Sequence, residues 1–108
     1  MKKWILAPAF LVFGTLSIQA QNYQPPTEVL ALLSKHTCLT CHKVTERLVG
    51  PSYSEIAKKK YSKAQIVKLI KPPVPTNWPD YPPMIGLPNV PKADAQKIAA
   101  WIESLGKQ

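Results

Sequence analysis

The chain has 108 residues, of which 45% are hydrophobic, and a formal net charge of +8 at pH 7. This length suits one small domain and excludes two domains of ordinary size. The basic residues form no nucleic-acid-binding motif, so we expect no nucleic acid among the partners. A domain this small often needs a metal, a disulfide or a bound cofactor to be stable.

Residues 1–20 have the layout of a secretory signal peptide. Two lysines give a positive start, an apolar run extends from Trp4 to Ile18, and Ala20 ends a processing site. A membrane-spanning helix takes about 20 apolar residues, whereas this run is shorter and contains Pro8. We therefore expect cleavage and export to the periplasm or another extracytoplasmic space. The mature domain, residues 21–108, then has a formal charge of +6, because both lysines leave with the signal.

The mature domain is predicted to begin with two short helices. Thr27 is expected to cap a first helix that starts at Glu28. Leucines and a valine give this helix an apolar face, and the helix is expected to run to about Ser34 or His36. A polar loop follows, and Ser52 is expected to cap the second helix.

Two further helices are predicted on either side of a proline-rich loop. The third helix opens at Ser62 or Lys63, and the fourth, Lys92 to Leu105, has the clearest helical period, with Gly106 suited to follow its end. Residues 72–91 contain eight of the chain's 12 prolines, so no helix or central strand can run through them. Prolines can still hold such a loop in one shape, and a loop this long usually has a function. No stretch alternates like a strand, so the predicted fold class is all-α.

The two cysteines of the chain, Cys38 and Cys41, are followed directly by His42 and form the C-x-x-C-H haem attachment sequence. Two thiols at this spacing can add to the two vinyl groups on one edge of a haem. The imidazole of the next residue then projects towards the iron. A disulfide between these cysteines would close too short a loop to stabilise the domain appreciably.

Two other readings of the cysteine pair fit the sequence less well. A thioredoxin-like redox pair belongs in a βαβ context, which this chain lacks. A zinc site needs four ligands, and His36 lies too close in sequence to the motif to complete a tetrahedron without strain. The predicted cofactor is therefore one haem c, bound covalently through Cys38 and Cys41.

The second axial ligand of the iron follows by elimination. Electron-carrying haem iron is usually held by His and Met or by two His, and the mature chain has one further histidine, His36, and one methionine, Met84. His36 precedes Cys38 by two residues and cannot readily reach the opposite haem face, so we expect it to be a surface or helix-end residue. Met84 can reach that face. Methionine more often packs in a hydrophobic core, but a rigid, polar loop is poorly suited to such packing. We therefore expect Met84 to be the second axial ligand.

The order of these motifs resembles the small bacterial class I cytochromes c. The resemblance covers nearly all of the mature chain: Glu28-Val29-Leu30, Cys38 to His42, Leu48-Val49-Gly50-Pro51-Ser52-Tyr53, Tyr81-Pro82-Pro83-Met84, and the Ala95 to Leu105 helix with Trp101. It implies a class I cytochrome c fold with about four to five short helices around the haem, the first and last of which cross.

The resemblance also implies roles for three further residues. The carbonyl of Pro51 is expected to accept the Nδ1 proton of His42, since a metal-bound imidazole is oriented by such an acceptor. Trp78 is expected either to hydrogen-bond a haem propionate or to be a half-buried packing residue. Asn89 is expected to hydrogen-bond the sulfur of Met84, although four residues separate the two.

An iron with two protein ligands has no open position for a substrate, so we expect an electron carrier rather than an enzyme. The predicted carrier is a monomer that shuttles between respiratory proteins with acidic docking surfaces, such as a cytochrome bc-type complex and a terminal oxidase or reductase. One alternative is a small haem subunit of a larger oxidoreductase. Another is a haem sensor or peroxidase in which Met84 is displaced.

Overall fold

The computed structural model describes residues 2–15 and 22–108. These ranges contain four α-helices and no strand, which confirms the all-α prediction: α1 (Thr27–Lys35), α2 (Tyr53–Lys58), α3 (Lys63–Ile70) and α4 (Lys92–Leu105). Two short 3₁₀ turns are also present, Cys38–Thr40 and Pro75–Asn77. The predicted processing site at Ala20 lies outside the described residues. Within the described ranges, no helix is long and apolar enough to cross a membrane.

The helix starts follow from their capping residues. At the start of α2, the Ser52 hydroxyl accepts a hydrogen bond from the Glu55 amide at 3.1 Å. Ser62 and Gln65 form a reciprocal capping box at the start of α3, in which each side chain accepts the other's backbone N–H. These contacts satisfy amide groups that have no partner inside the helix, and they confirm the predicted starts of both helices.

The start of α1 differs from the prediction that Thr27 is its cap. Thr27 is already helical, and Pro26 occupies the cap position without a side-chain cap. Proline lacks a backbone N–H and has a restricted φ, so it suits the position before the first helical residue. Its carbonyl accepts the Leu30 amide at 2.9 Å, which closes the first helical turn.

Gly106, at the end of α4, serves close packing rather than a left-handed turn. Its φ of −72° is right-handed, so other residues could adopt this backbone conformation. A Cβ atom at Gly106 would lie 2.8 Å from the Ala57 carbonyl oxygen. The glycine therefore allows the end of α4 to approach α2.

Helix α4 is the central element of the core. It contacts each of the other three helices and buries one side: Ala95, Ile98, Ala99, Trp101, Ile102 and Leu105. The other helices supply the rest of the buried cluster: Val29 and Leu33 from α1, Tyr53 and Ala57 from α2, and Ile66 from α3. Burial of this apolar surface is the main force that holds the four helices together.

Polar contacts tie α1 to the first half of α4. The Glu28 carboxylate pairs with Lys97, and His36 Nε2 donates to Asp94 Oδ2 at 2.9 Å. His36 is the residue that ends α1, as the sequence predicted, and its side chain is largely buried against Asp94. Lys35 lies 3.9 Å from the same carboxylate. First and last helices are therefore fixed together at two points.

The His36 contact makes a pH-dependent contribution to stability. The hydrogen bond from His36, with Lys35 nearby, holds the pKa of Asp94 below its ordinary value. A carboxylate with a lowered pKa in the folded state stabilises that state above the unfolded pKa of about 4, and the contribution disappears as the pH falls through the folded pKa. We predict that the stability difference between wild type and Asp94→Asn is largest near neutral pH and shrinks below about pH 4. Denaturant unfolding of the holoprotein over this range measures the difference.

Glu55→Gln is the matched control, because Glu55 forms an exposed pair with Lys58 inside α2 and spans no helix interface. It should lower stability little. Equal unfolding curves for wild type and Asp94→Asn at every pH would contradict the role given to this contact.

Candidate functional site

A largely apolar cavity of about 670 Å³ lies between α3, α4 and the loops that follow α1 and α3. Ligand pockets in proteins usually have volumes of ~300–1,000 Å³. Ile66 and Ile70 of α3 and Ile98 and Ile102 of α4 contribute to its apolar wall. The helical core is thus packed against a space large enough for a substantial apolar group.

Six of the seven residues singled out from the sequence line this cavity: Cys38, Cys41, His42, Pro51, Trp78 and Met84. The seventh, Asn89, is exposed in the turn before α4 and is not among the lining residues. The structure therefore brings together residues from three separate segments of the chain. The predicted contact between Asn89 and Met84 remains a prediction.

The cysteines lie on a tight turn directly after α1. Thr37 has a left-handed φ of 60°, which reverses the chain, and the 3₁₀ turn Cys38–Thr40 follows. The amide of His42 donates to the Cys38 carbonyl at 3.0 Å. The two thiols form no disulfide. Burial raises the pKa of the Cys38 thiol, and a hydrogen bond with Tyr53 partly offsets this rise.

The imidazole of His42 is held in one orientation. Its Nδ1–H donates to the carbonyl oxygen of Pro51 at 2.7 Å. Because a carbonyl only accepts, Nδ1 carries the proton and Nε2 keeps the lone pair that can bind a metal. A Cβ atom at Gly50 would lie 2.7 Å from His42 Cε1, so only glycine lets the backbone pass this close to the ring. The Gly50 amide also donates to the Cys41 carbonyl at 2.8 Å.

Tyr53 completes the support of His42. Its ring centroid lies 5.4 Å from that of His42 and 5.1 Å from that of Trp101, the latter in an edge-on arrangement. Burial is the main cause that raises the pKa of Tyr53, so its hydroxyl stays protonated. Sequence reasoning did not single out Tyr53 as a site residue. Its position at the first turn of α2, two residues after Pro51, could have indicated that it lies near His42.

Met84 lies in the irregular segment of residues 82–87 and is 38% exposed. We call residues 80–87 the Met84 loop. The end of this segment is anchored to α3, because the Leu87 amide donates to the Ile70 carbonyl at 2.8 Å. Gly86 passes so close to the Lys71 carbonyl that a Cβ atom there would overlap it. Met84 therefore lines the cavity from a loop whose C-terminal end, at Gly86 and Leu87, is fixed against the end of α3.

Trp78 is half-buried at the edge of the cavity. The Tyr81 ring packs edge-on against it, with a centroid separation of 5.8 Å. On the indole, Lys59 Nζ lies 4.9 Å from the ring centroid. Cations at this distance from an aromatic face are attracted to it, so Trp78 has packing partners from α2's end and from the Met84 loop.

The residues around the cavity fit a haem c. They offer two thiols at the attachment spacing, an imidazole nitrogen with a lone pair, and a thioether, and the last two groups are known axial ligands of haem iron. The apolar wall suits the faces of a porphyrin. In the described part of the chain, no group of three or more His, Cys, Asp or Glu side chains is arranged to hold a metal ion.

Comparisons with known proteins give relatives over most of the chain. Cytochrome c-552 of Hydrogenobacter thermophilus is 28% identical over 107 residues, which cover 97% of this chain and 99% of the relative. Cytochrome c-551 of Allochromatium vinosum is 32% identical over 80 residues, which cover 70% of this chain and 84% of the relative. No protein-family model matches the chain.

The fold also has a counterpart among solved structures. The class 1 cytochrome MtoD from Sideroxydans lithotrophicus ES-1 superposes with a TM-score of 0.59 over 73% of this chain and 94% of that protein, at 20% sequence identity. This similarity shows a shared fold. Together with the sequence relatives, it establishes that the chain belongs to the small class I cytochromes c and is an electron-transfer protein with a covalently bound c-type haem.

Proposed function

We propose that this protein is a one-electron carrier in which His42 and Met84 are the axial ligands of a haem attached to Cys38 and Cys41. The main support is that these four side chains, from segments 42 residues apart, line the same apolar cavity. No enzymatic role is included in the proposal, because two protein ligands leave no iron position open to a substrate.

The protein's contribution is to hold two ligands and to exclude water. The bound haem supplies an iron that gains and loses one electron. Pro51 and Gly50 keep the imidazole of His42 in one orientation, so little rearrangement accompanies a change of charge. The thioether of Met84 is a weak donor and favours the reduced iron, which raises the potential. The apolar wall acts in the same direction, since it solvates the extra positive charge poorly.

Substitution of the proposed second ligand tests this assignment. In the Met84→Ala holoprotein, we expect loss of the weak red absorption band of ferric iron bonded to a thioether. We also expect a lower reduction potential and binding of carbon monoxide by the reduced protein. Optical spectra and redox titration measure these changes.

Ile85→Ala is the control, because Ile85 is the adjacent residue of the same loop and is 85% exposed. Its spectrum and potential should remain those of wild type. An unchanged spectrum in Met84→Ala would show that another group, or none, binds the iron opposite His42.

The proposal includes export and removal of residues 1–20, with residues 21–108 as the mature carrier. Large apolar side chains of residues 2–15 are largely exposed, with Trp4 at 86% and Phe10 at 87%. An exposed apolar stretch of this kind is a liability on a soluble protein, which fits a segment that is cleaved. The mature protein then acts in the periplasm or another extracytoplasmic space.

The mature surface is basic, which favours acidic partners. Its formal charge of +6 is partly offset by the two haem propionates. Exposed lysines contribute to this charge, among them Lys35, Lys43, Lys58, Lys59, Lys60, Lys63, Lys68, Lys92 and Lys97. Opposite charge speeds the encounter of two proteins and orients them. We propose that the protein works as a monomer between respiratory redox proteins with acidic docking surfaces, such as a cytochrome bc-type complex and a terminal oxidase or reductase.

The charge predicts the sign of the salt dependence. Oxidation of the reduced holoprotein by the anionic reagent ferricyanide should slow as ionic strength rises from about 10 mM to about 150 mM, because screening shortens the Debye length from about 30 Å to about 8 Å. Oxidation by a cationic cobalt(III) complex should accelerate over the same range. Stopped-flow rate constants measure both. Rates with the two reagents that respond to salt in the same direction would contradict a basic docking surface.

A further inference from the structure

Arg47 joins the segment after the haem attachment motif to the segment that carries Met84. Its Nη2 donates to the Asp80 carbonyl at 2.8 Å, a contact between residues 33 positions apart. Its guanidinium carbon also lies 4.0 Å from the centroid of the Tyr81 ring. A guanidinium at this distance is attracted to the face of an aromatic ring. One side chain therefore holds two consecutive residues of the distant loop.

Tyr81 connects Arg47 to Trp78, which lines the cavity. Its amide donates to the Trp78 carbonyl at 3.1 Å, and its ring packs edge-on against the indole of Trp78. Lys59 lies over the same indole. The side chains of Arg47, Tyr81, Trp78 and Lys59 form a continuous row, which we call the Arg47 strap.

The link from Tyr81 to Met84 is short and stiff. Only Pro82 and Pro83 separate the two residues, and the proline rings restrict both φ angles. The segment between Tyr81 and Met84 therefore has fewer rotatable backbone angles with which to absorb a displacement of Tyr81. On the other side of Met84, Leu87 is fixed to Ile70 by a backbone hydrogen bond of 2.8 Å. The loop is thus held at both ends. Arg47 contacts its first residues, Asp80 and Tyr81, and Ile70 holds its last residue, Leu87.

We propose that Arg47 is a positioning residue for Met84: together with Tyr81 it holds the Met84 loop closed over the cavity and slows the release of the thioether. This inference rests on the proposed function, in which Met84 binds the iron. Arg47 then differs from the surrounding lysines. A docking cation changes the rate of encounter with a partner, whereas a positioning residue changes how often the loop opens.

Binding of imidazole to the ferric holoprotein measures loop opening, because the added imidazole can bind only after Met84 has left. We expect Arg47→Gln to raise the limiting rate of binding about tenfold, a change of about 1.4 kcal/mol in the barrier. The red band of the ligand-free protein should stay intact, since the closed loop remains the favoured state. Arg47→Lys, which keeps the charge but loses the planar donor, should fall between wild type and Arg47→Gln.

Substitutions of Tyr81, which Arg47 contacts, provide the second part of the experiment. Tyr81→Phe keeps the ring and should resemble wild type, whereas Tyr81→Leu should resemble Arg47→Gln. In the double variant Arg47→Gln with Tyr81→Leu, the increase in rate should be smaller than the product of the two single increases, because both changes remove the contact between Arg47 and Tyr81. Lys92→Gln removes an exposed positive charge at the start of α4 and should leave the rate unchanged.

Amide hydrogen exchange separates a local effect from general destabilisation. Arg47→Gln should speed exchange at the backbone amide of Tyr81, whose side chain belongs to the strap, and leave the Leu87 amide at its wild-type rate. A variant that merely loosens the whole protein should speed both.

The inference is overturned if Arg47→Gln and Tyr81→Leu bind imidazole at the wild-type rate. It is also overturned if Arg47→Gln speeds hydrogen exchange equally at the Tyr81 and Leu87 amides. A failure of the proposed function is seen in a different measurement, the absorption spectrum of the wild-type protein. In that case the wild-type ferric protein itself lacks the red band and is indistinguishable from Met84→Ala.

Discussion

The structure depends on one constraint: a small helical domain with a modest buried core also encloses an apolar cavity of about 670 Å³. Helix α4 contacts all three other helices, yet its residues Ile98 and Ile102 also face the cavity. A group bound there adds apolar contacts that a chain of this size cannot supply from its own side chains. Attachment of that group next to the end of α1 makes the cofactor part of the fold as well as the site of electron transfer.

The two sides of the site are held in different ways. On the His42 side, the supporting contacts come from residues close in sequence: Pro51 accepts the Nδ1 proton at 2.7 Å, and Gly50 leaves room for the ring. On the Met84 side, the loop relies on contacts with distant segments, at Arg47 and at Ile70. Long-range contacts of few side chains open more readily than a local, tightly packed turn. Under the proposed ligation by His42 and Met84, loss of a ligand is therefore expected on the Met84 side.

This difference also explains how much the sequence could predict. The attachment motif and the caps Ser52 and Ser62 act over a few residues, so local spacing revealed them. The contact between Arg47 and Tyr81 joins residues with no shared pattern, and only the folded chain brings them together. Local spacing correctly predicted Gly106 at the end of α4, but the close approach of the Ala57 carbonyl, which requires a glycine there, arises only from tertiary packing. The family resemblance suggested a hydrogen bond from Asn89 to Met84; Asn89 is exposed and is not among the residues that line the cavity, and the contact stays a prediction.

The central claim is that one haem is joined covalently to Cys38 and Cys41 of an exported chain. The most direct test is the intact mass of the mature protein, produced in a host that assembles c-type cytochromes and extracted with acidified acetone to remove any unattached haem. We predict the mass of residues 21–108 plus one haem. Apoprotein with both thiols free would contradict the account.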